Sequence, residues 1–164
     1  SSGIVDGWIL DKYGIKGKDF IEGDMPSLSL PVKIEGAPAG TASFAIIFDD
    51  PDAIPVGGIR WMHWLAAGIT ITDIPENYSQ DAKDVIAQGV NSWFPYAGLK
   101  DKLKACFYGG PAPPNATHTY VMKVLALDIV PALRNGFTKE DLLKVTEGHV
   151  LAEATLKGKY SPKE

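Results

Sequence analysis

The stretch "TASFAIIFDDPDAIPVGGIRWMHWLAAGIT", residues 41–70, decides the fold. Its first third is β-branched and aromatic and stops at Asp50–Pro51, the pattern of a strand that runs into a turn. A Pro/Gly-rich segment follows, and a second aromatic, apolar run covers 59–70. Two strands joined by a turn predict a sheet rather than a helical bundle.

Working outward, three more segments carry strand character. "KACFYGG" (104–110) is short and apolar, and "HVLAEATLKGKY" (149–160) alternates, with Val150, Ala152, Ala154 and Leu156 on one side. "HTYVMKVLALDI" (118–129) is nearly continuous in apolar character, which predicts burial on both faces. The 17 glycines and 12 prolines lie between short apolar runs, as expected of many strands and tight turns. One helix is well marked. In "FTKEDLLKVTEGH", Thr138 is an N-cap with Asp141 three residues on, Leu142, Leu143 and Val145 form a stripe, and Gly148 is a stop. "SQDAKDVIAQ" (79–88) is a weaker helical segment. No repeat or charged linker divides the chain. The expectation is a single domain over 1–164, all-β with peripheral helices, arranged as an antiparallel β sandwich.

Composition narrows the function. A net charge of -4 without a basic patch argues against nucleic acid. No run approaches the length of a membrane span. The one cysteine, Cys106, excludes an internal disulfide and sits among apolar residues, as an inert buried thiol does. The start of the chain shows no secretory pattern, so the expected setting is the reducing cytoplasm. Metal and nucleotide motifs are missing, and Ile54 and Pro55 spoil an EF-hand reading of the acidic turn. Neither a cofactor nor a metal is expected.

The polar residues beside the strands point to a binding pocket. Residues two apart in a strand share a face. Trp61 and His63 form one such pair, and His118 and Tyr120 form another. Asp50 and Asp52 flank Pro51 in the turn before the first pair. If the two strands are neighbours, imidazoles, a phenol and a carboxylate converge. Such a set suits a small anion: the rings and phenol donate, and the carboxylate orients a ring through its other nitrogen. Gly109 and Gly110 offer backbone N–H groups nearby. The plainer reading stays open for each residue. The histidines fit structural roles, the tryptophans fit the core, and Asp49, Asp50 and Asp52 fit turn caps.

In this order, "SFAIIFDDPDAIP", "WMHW", "FYGGPAPPNATHTY", "LALD" and "EGHVLAEATLKGKYS" resemble phosphatidylethanolamine-binding proteins. The resemblance is closest to the bacterial and archaeal branch called Raf-kinase-inhibitor-like, and it runs from about Pro26 to Tyr160. It implies a β sandwich with an anion pocket at one end. Matched motif by motif, Asp50, Trp61, His63, Gly110, His118 and Tyr120 are the pocket residues, with Asp52 in the same D-P-D-A turn. It implies non-catalytic binding of phosphate-like or carboxylate-like groups, and, by analogy alone, regulation of a kinase or other enzyme by protein contact. Three departures stand out. Ile54 interrupts the family's D-P-D-A-P turn before Pro55, Thr119 replaces the usual arginine, and "QGVNSWFPYAGLKD" (88–101) lacks a D-F-G pattern. Two competing readings remain: a hydrolase or lyase using His63 or His118 as general acid/base, and a homodimer scaffold whose interface includes "SWFPYAG".

Overall fold

The computed structural model describes residues 1–164. Four long strands form its frame: β1 (Ser43–Asp50), β2 (Trp61–Ile69), β3 (His118–Leu127) and β4 (Val150–Tyr160). They lie in the order β4–β3–β1–β2, every neighbour antiparallel. Ala87–Gln88 pairs with β2 at one edge. At the other, the Ile4–Val5 and Trp8–Ile9 hairpin meets β4 only at Lys159. This makes a seven-stranded sheet.

Each face of the sheet carries a core, because Phe44–Phe48 of β1 and Val124–Leu127 of β3 are apolar at every position. Phe44, Ile46 and Phe48 of β1 point to one side with Met122, Val124 and Ala126 of β3. There they meet Leu30, Val32 and Ile74, carried by short ladders and irregular chain that form the second layer. Ala45 and Ile47 point to the other side with Leu125 and Leu127, under α1 (Lys139–Thr146). The antiparallel all-β fold with peripheral helices is therefore present, its second layer built from two-stranded ladders and loops. No helix is long and apolar enough to cross a membrane.

The α1 N-terminus closes as its sequence predicts, with Thr138 and Asp141 forming a reciprocal capping box. Its apolar stripe is narrower than expected: Leu142 is buried, but Leu143 and Val145 are exposed. Two further expectations fail. Residues 104–110 are not a strand; Lys102–Ala105 is a 3-10 turn followed by irregular chain. Ala105, Cys106 and Tyr108 are apolar there because a loop is packed into the interior, with no ladder involved. The helix expected over 79–88 is one turn, Tyr78–Asp81. The chain then reverses so that Gln88 can bury its amide against Trp64 Nε1, Ser79 Oγ and the Ser79 carbonyl.

Candidate functional site

A bulge in β2 builds the site. Phe48 pairs with Trp64, whereas Asp49 pairs with Met62 and Asp50 with Trp61. His63 is thus an extra residue opposite Phe48. A bulge of this kind re-aims side chains. Here His63 and Trp64, though adjacent, both contact the Phe48 side: the His63 and Phe48 ring centroids are 5.6 Å apart, and Trp64 packs edge-on against Tyr108. Met62 turns to the α1 side, and Trp61 returns to the site. The predicted sharing of a face by Trp61 and His63 is found. His118 and Tyr120 reach the same place from β3, through the even positions that also carry Met122.

The acidic turn is fastened at both carboxylates. Asp50 ends β1, and its Oδ1 accepts the Asp52 N–H at 2.9 Å, capping the Pro51–Ala53 turn. Its Oδ2 accepts from His118 Nδ1 at 2.7 Å. Asp52 is exposed and does not line the cleft; its Oδ2 accepts the Thr119 N–H at 2.8 Å and ties the turn to β3. Thr119 thus holds the turn through its backbone. Ile54–Pro55 is trans and begins a one-turn helix, Ile54–Gly57, that ends on Gly58 at φ +77. One peptide bond is cis, Phe94–Pro95. Asp49 faces away from the site and pairs with Arg60 Nε at 2.7 Å.

The cleft encloses about 300 Å³, and Asp50, Trp61, His63, His118 and Tyr120 are its polar and aromatic lining residues. Ala53, Val56, Trp93, Ala97, Ala112 and Pro114 make the rest of it apolar. His63 Nδ1 lies 2.5 Å from the Gly109 carbonyl oxygen. A carbonyl only accepts, so Nδ1 holds the proton and neutral His63 presents a bare Nε2. Burial pushes the His63 pKa down to about 4, against the opposing pull of the Gly109 carbonyl and of Asp50. His118 has no free nitrogen, since Nε2 lies 3.0 Å from Asn115 Oδ1. The Tyr120 hydroxyl is buried without a hydrogen-bond partner, and so is Trp61 Nε1. Burial, and then the Asp50 charge, raise the Tyr120 pKa, which keeps that hydroxyl protonated.

Gly110 departs from expectation. Its N–H donates to the Pro26 carbonyl, the Gly109 N–H donates to the His63 carbonyl, and Gly110 does not line the cleft. Neither amide is free for a ligand. Gly110 is needed for close packing, since a Cβ there would lie 2.1 Å from the Tyr13 carbonyl oxygen. Sequence reasoning also missed Trp93 and Asn115. The His63 and Trp93 rings meet edge to face at 5.4 Å and wall one side of the cleft. The short spacing from Asn115 to His118 was the available signal for the other.

No group of three or more His, Cys, Asp or Glu side chains is clustered to hold a metal ion. The Cys106 thiol is buried, which pushes its pKa up to about 11.

Comparison with known proteins places these features. The chain is 37% identical to the uncharacterised protein YxkA of Bacillus subtilis over 149 residues, 89% of this chain and 84% of that one. It is 37% identical to a UPF0098 protein of Methanothermobacter thermautotrophicus over 84% of this chain and 85% of that one. Among solved structures, the phosphatidylethanolamine-binding protein homologue CT736 of Chlamydia trachomatis superposes with a TM-score of 0.75 at 29% identity, covering 95% of this chain and 90% of that one. YbcL of Escherichia coli shares the fold, with a TM-score of 0.74 at 24% identity over 98% and 94% of the two chains. The family model for phosphatidylethanolamine-binding proteins matches residues 1–161. This chain belongs to the phosphatidylethanolamine-binding protein family.

Proposed function

We propose that the cleft binds, without converting it, a small ligand through a phosphate-like or carboxylate-like group. The observation that carries this reading is the unpartnered, buried Tyr120 hydroxyl in the cleft. Buried polar groups almost always have partners, so an orphan hydroxyl in the wall of a cleft supports a ligand partner there. Family membership supports a binding role in general.

The donor set narrows the head group. Tyr120 O–H and Trp61 Nε1–H donate to oxygens. Neutral His63 offers an acceptor, Nε2, which a protonated phosphate oxygen fills and an ionised carboxylate leaves unfilled. A singly protonated phosphate satisfies all three groups: P–OH donates to His63, and the other oxygens accept from Tyr120 and Trp61. Asp50 and His118 touch each other and form the wall that orients this set. Asp52 and Gly110 position the wall and have no direct contact with the ligand. Serine, threonine, cysteine and lysine side chains do not line the cleft, which favours binding over a nucleophilic hydrolase.

Calorimetric titration with inorganic phosphate, phenyl phosphate and acetate tests the reading. Saturable binding is expected, weakened about tenfold or more in Tyr120→Phe, the loss of one hydrogen bond to a charged group. A phosphomonoester loses its last proton near pH 6, so affinity for phenyl phosphate should fall about tenfold per pH unit above that. Absence of binding by all three probes, or binding indifferent to Tyr120→Phe, defeats the proposal.

A further inference from the structure

The outer edge of β4 is open. Lys159 donates its N–H outward to the Gly7 carbonyl at 2.8 Å. Its pairing with Trp8 is the last strand contact along that edge. The β3–β4 register is regular from His118↔Tyr160 to Ala126↔Ala152. In a regular antiparallel strand, outward-pointing backbone groups recur at every second residue. The N–H and C=O groups of Lys157, Thr155 and Glu153 therefore also point outward, and no strand pairs with them. An exposed row of this kind is a template for another strand.

We infer that this edge pairs with the same edge of a second copy of this chain, antiparallel about a twofold axis through Thr155. Charge selects the copy and the register. Centring on Thr155 places Glu153 opposite Lys157 of the other chain, twice. Centring on Glu153 or on Lys157 would set like charges face to face, which is disfavoured. The backbone agrees with the side chains: Glu153, Thr155 and Lys157 are the residues whose outward groups are free, so both Glu–Lys pairs and the central threonines fall at hydrogen-bonded positions.

The apolar side chains agree as well. The same register sets Ala154 opposite Leu156 of the other chain. Both line a groove of about 320 Å³ along β4, with Val32, Phe44 and Val124 beneath. A second copy extends the sheet and covers this groove from its open side. Glu153 already reaches Lys123 of its own chain at 3.3 Å, which leaves its carboxylate placed between two lysines in the pair of chains.

Sedimentation velocity from about 10 μM to about 1 mM tests this, a range that spans ordinary weak association constants. The wild-type chain should shift from monomer to dimer with concentration. Glu153→Lys and Lys157→Glu should each weaken association at least about tenfold, with circular dichroism confirming the fold. The double exchange, Glu153→Lys with Lys157→Glu, should restore it, because complementarity is regained with reversed sign. An equimolar mixture of the two single variants should form a heterodimer. A wild-type chain that stays monomeric throughout, single variants that associate as well as wild type, or a double exchange that fails to recover would each overturn the inference.

Discussion

The His118 ring and the Asp50 carboxylate stand 68 residues apart in sequence and 2.7 Å apart in space, both buried. β1 and β3 are neighbours, so this contact closes the polar end of the sheet as well as one wall of the cleft. Asp50 also holds the Asp52 N–H. The carboxylate therefore couples the strand end, the turn and the imidazole.

Removing either partner leaves the other buried without its match. Asp50→Asn and His118→Gln should each lower unfolding stability by roughly 3 kcal/mol, the usual cost of breaking a buried pair. The double variant should lose less than the sum, with a coupling of about 1–3 kcal/mol. Urea unfolding of all four proteins measures it. Strict additivity would mean that the two groups do not act on each other.

His63 makes stability depend on pH. Its pKa is lowered from 6.5 to about 4 by burial. Between those values the unfolded chain binds a proton that the folded chain refuses. Stability therefore rises with pH across this window. The contribution is present in full above pH 6.5 and is lost as pH falls through about 4, amounting to roughly 3 kcal/mol. The comparison is with His63→Gln, whose acid loss should be smaller by about that amount. An NMR titration of the His63 ring gives the midpoint directly. A midpoint at the ordinary histidine value would show that water reaches the ring freely in the closed fold.

Sequence pattern revealed the frame and half of the site. Strands at 41–50, 59–70 and 118–129 were legible as apolar, β-branched and aromatic runs, and 149–160 was legible by alternation. The Thr138–Asp141 box was legible because capping is local. The failures share one cause, tertiary packing that imitates local pattern. Residues 104–110 look like a strand because Ala105, Cys106 and Tyr108 are buried, yet they are buried as loop. The i+2 rule predicted the Trp61–His63 face, but not the β2 bulge that brings Trp64 to the same side. Nothing in the spacing of Gly109 and Gly110 tells a glycine that meets a ligand from one that meets the Tyr13 backbone.

That last distinction is open to experiment. Gly110→Ala would set a Cβ 2.1 Å from the Tyr13 carbonyl oxygen, 3.0 Å from Pro26 Cβ and 3.1 Å from the Tyr108 ring. Backbone oxygen cannot swing aside as a side chain does, so the segment must move, and overpacking of this kind costs about 3 kcal/mol. Gly57 is the control, since a Cβ there meets nothing within 4 Å and its φ is not positive. Gly57→Ala should be neutral or stabilising by up to about 1 kcal/mol, through the lost freedom of the unfolded chain. Thermal and urea unfolding of the two variants decide between packing and ligand contact at Gly110. A large loss of stability without ligand present is the packing result. Full stability with weakened phosphate binding would mean instead that the Gly110 backbone meets the ligand.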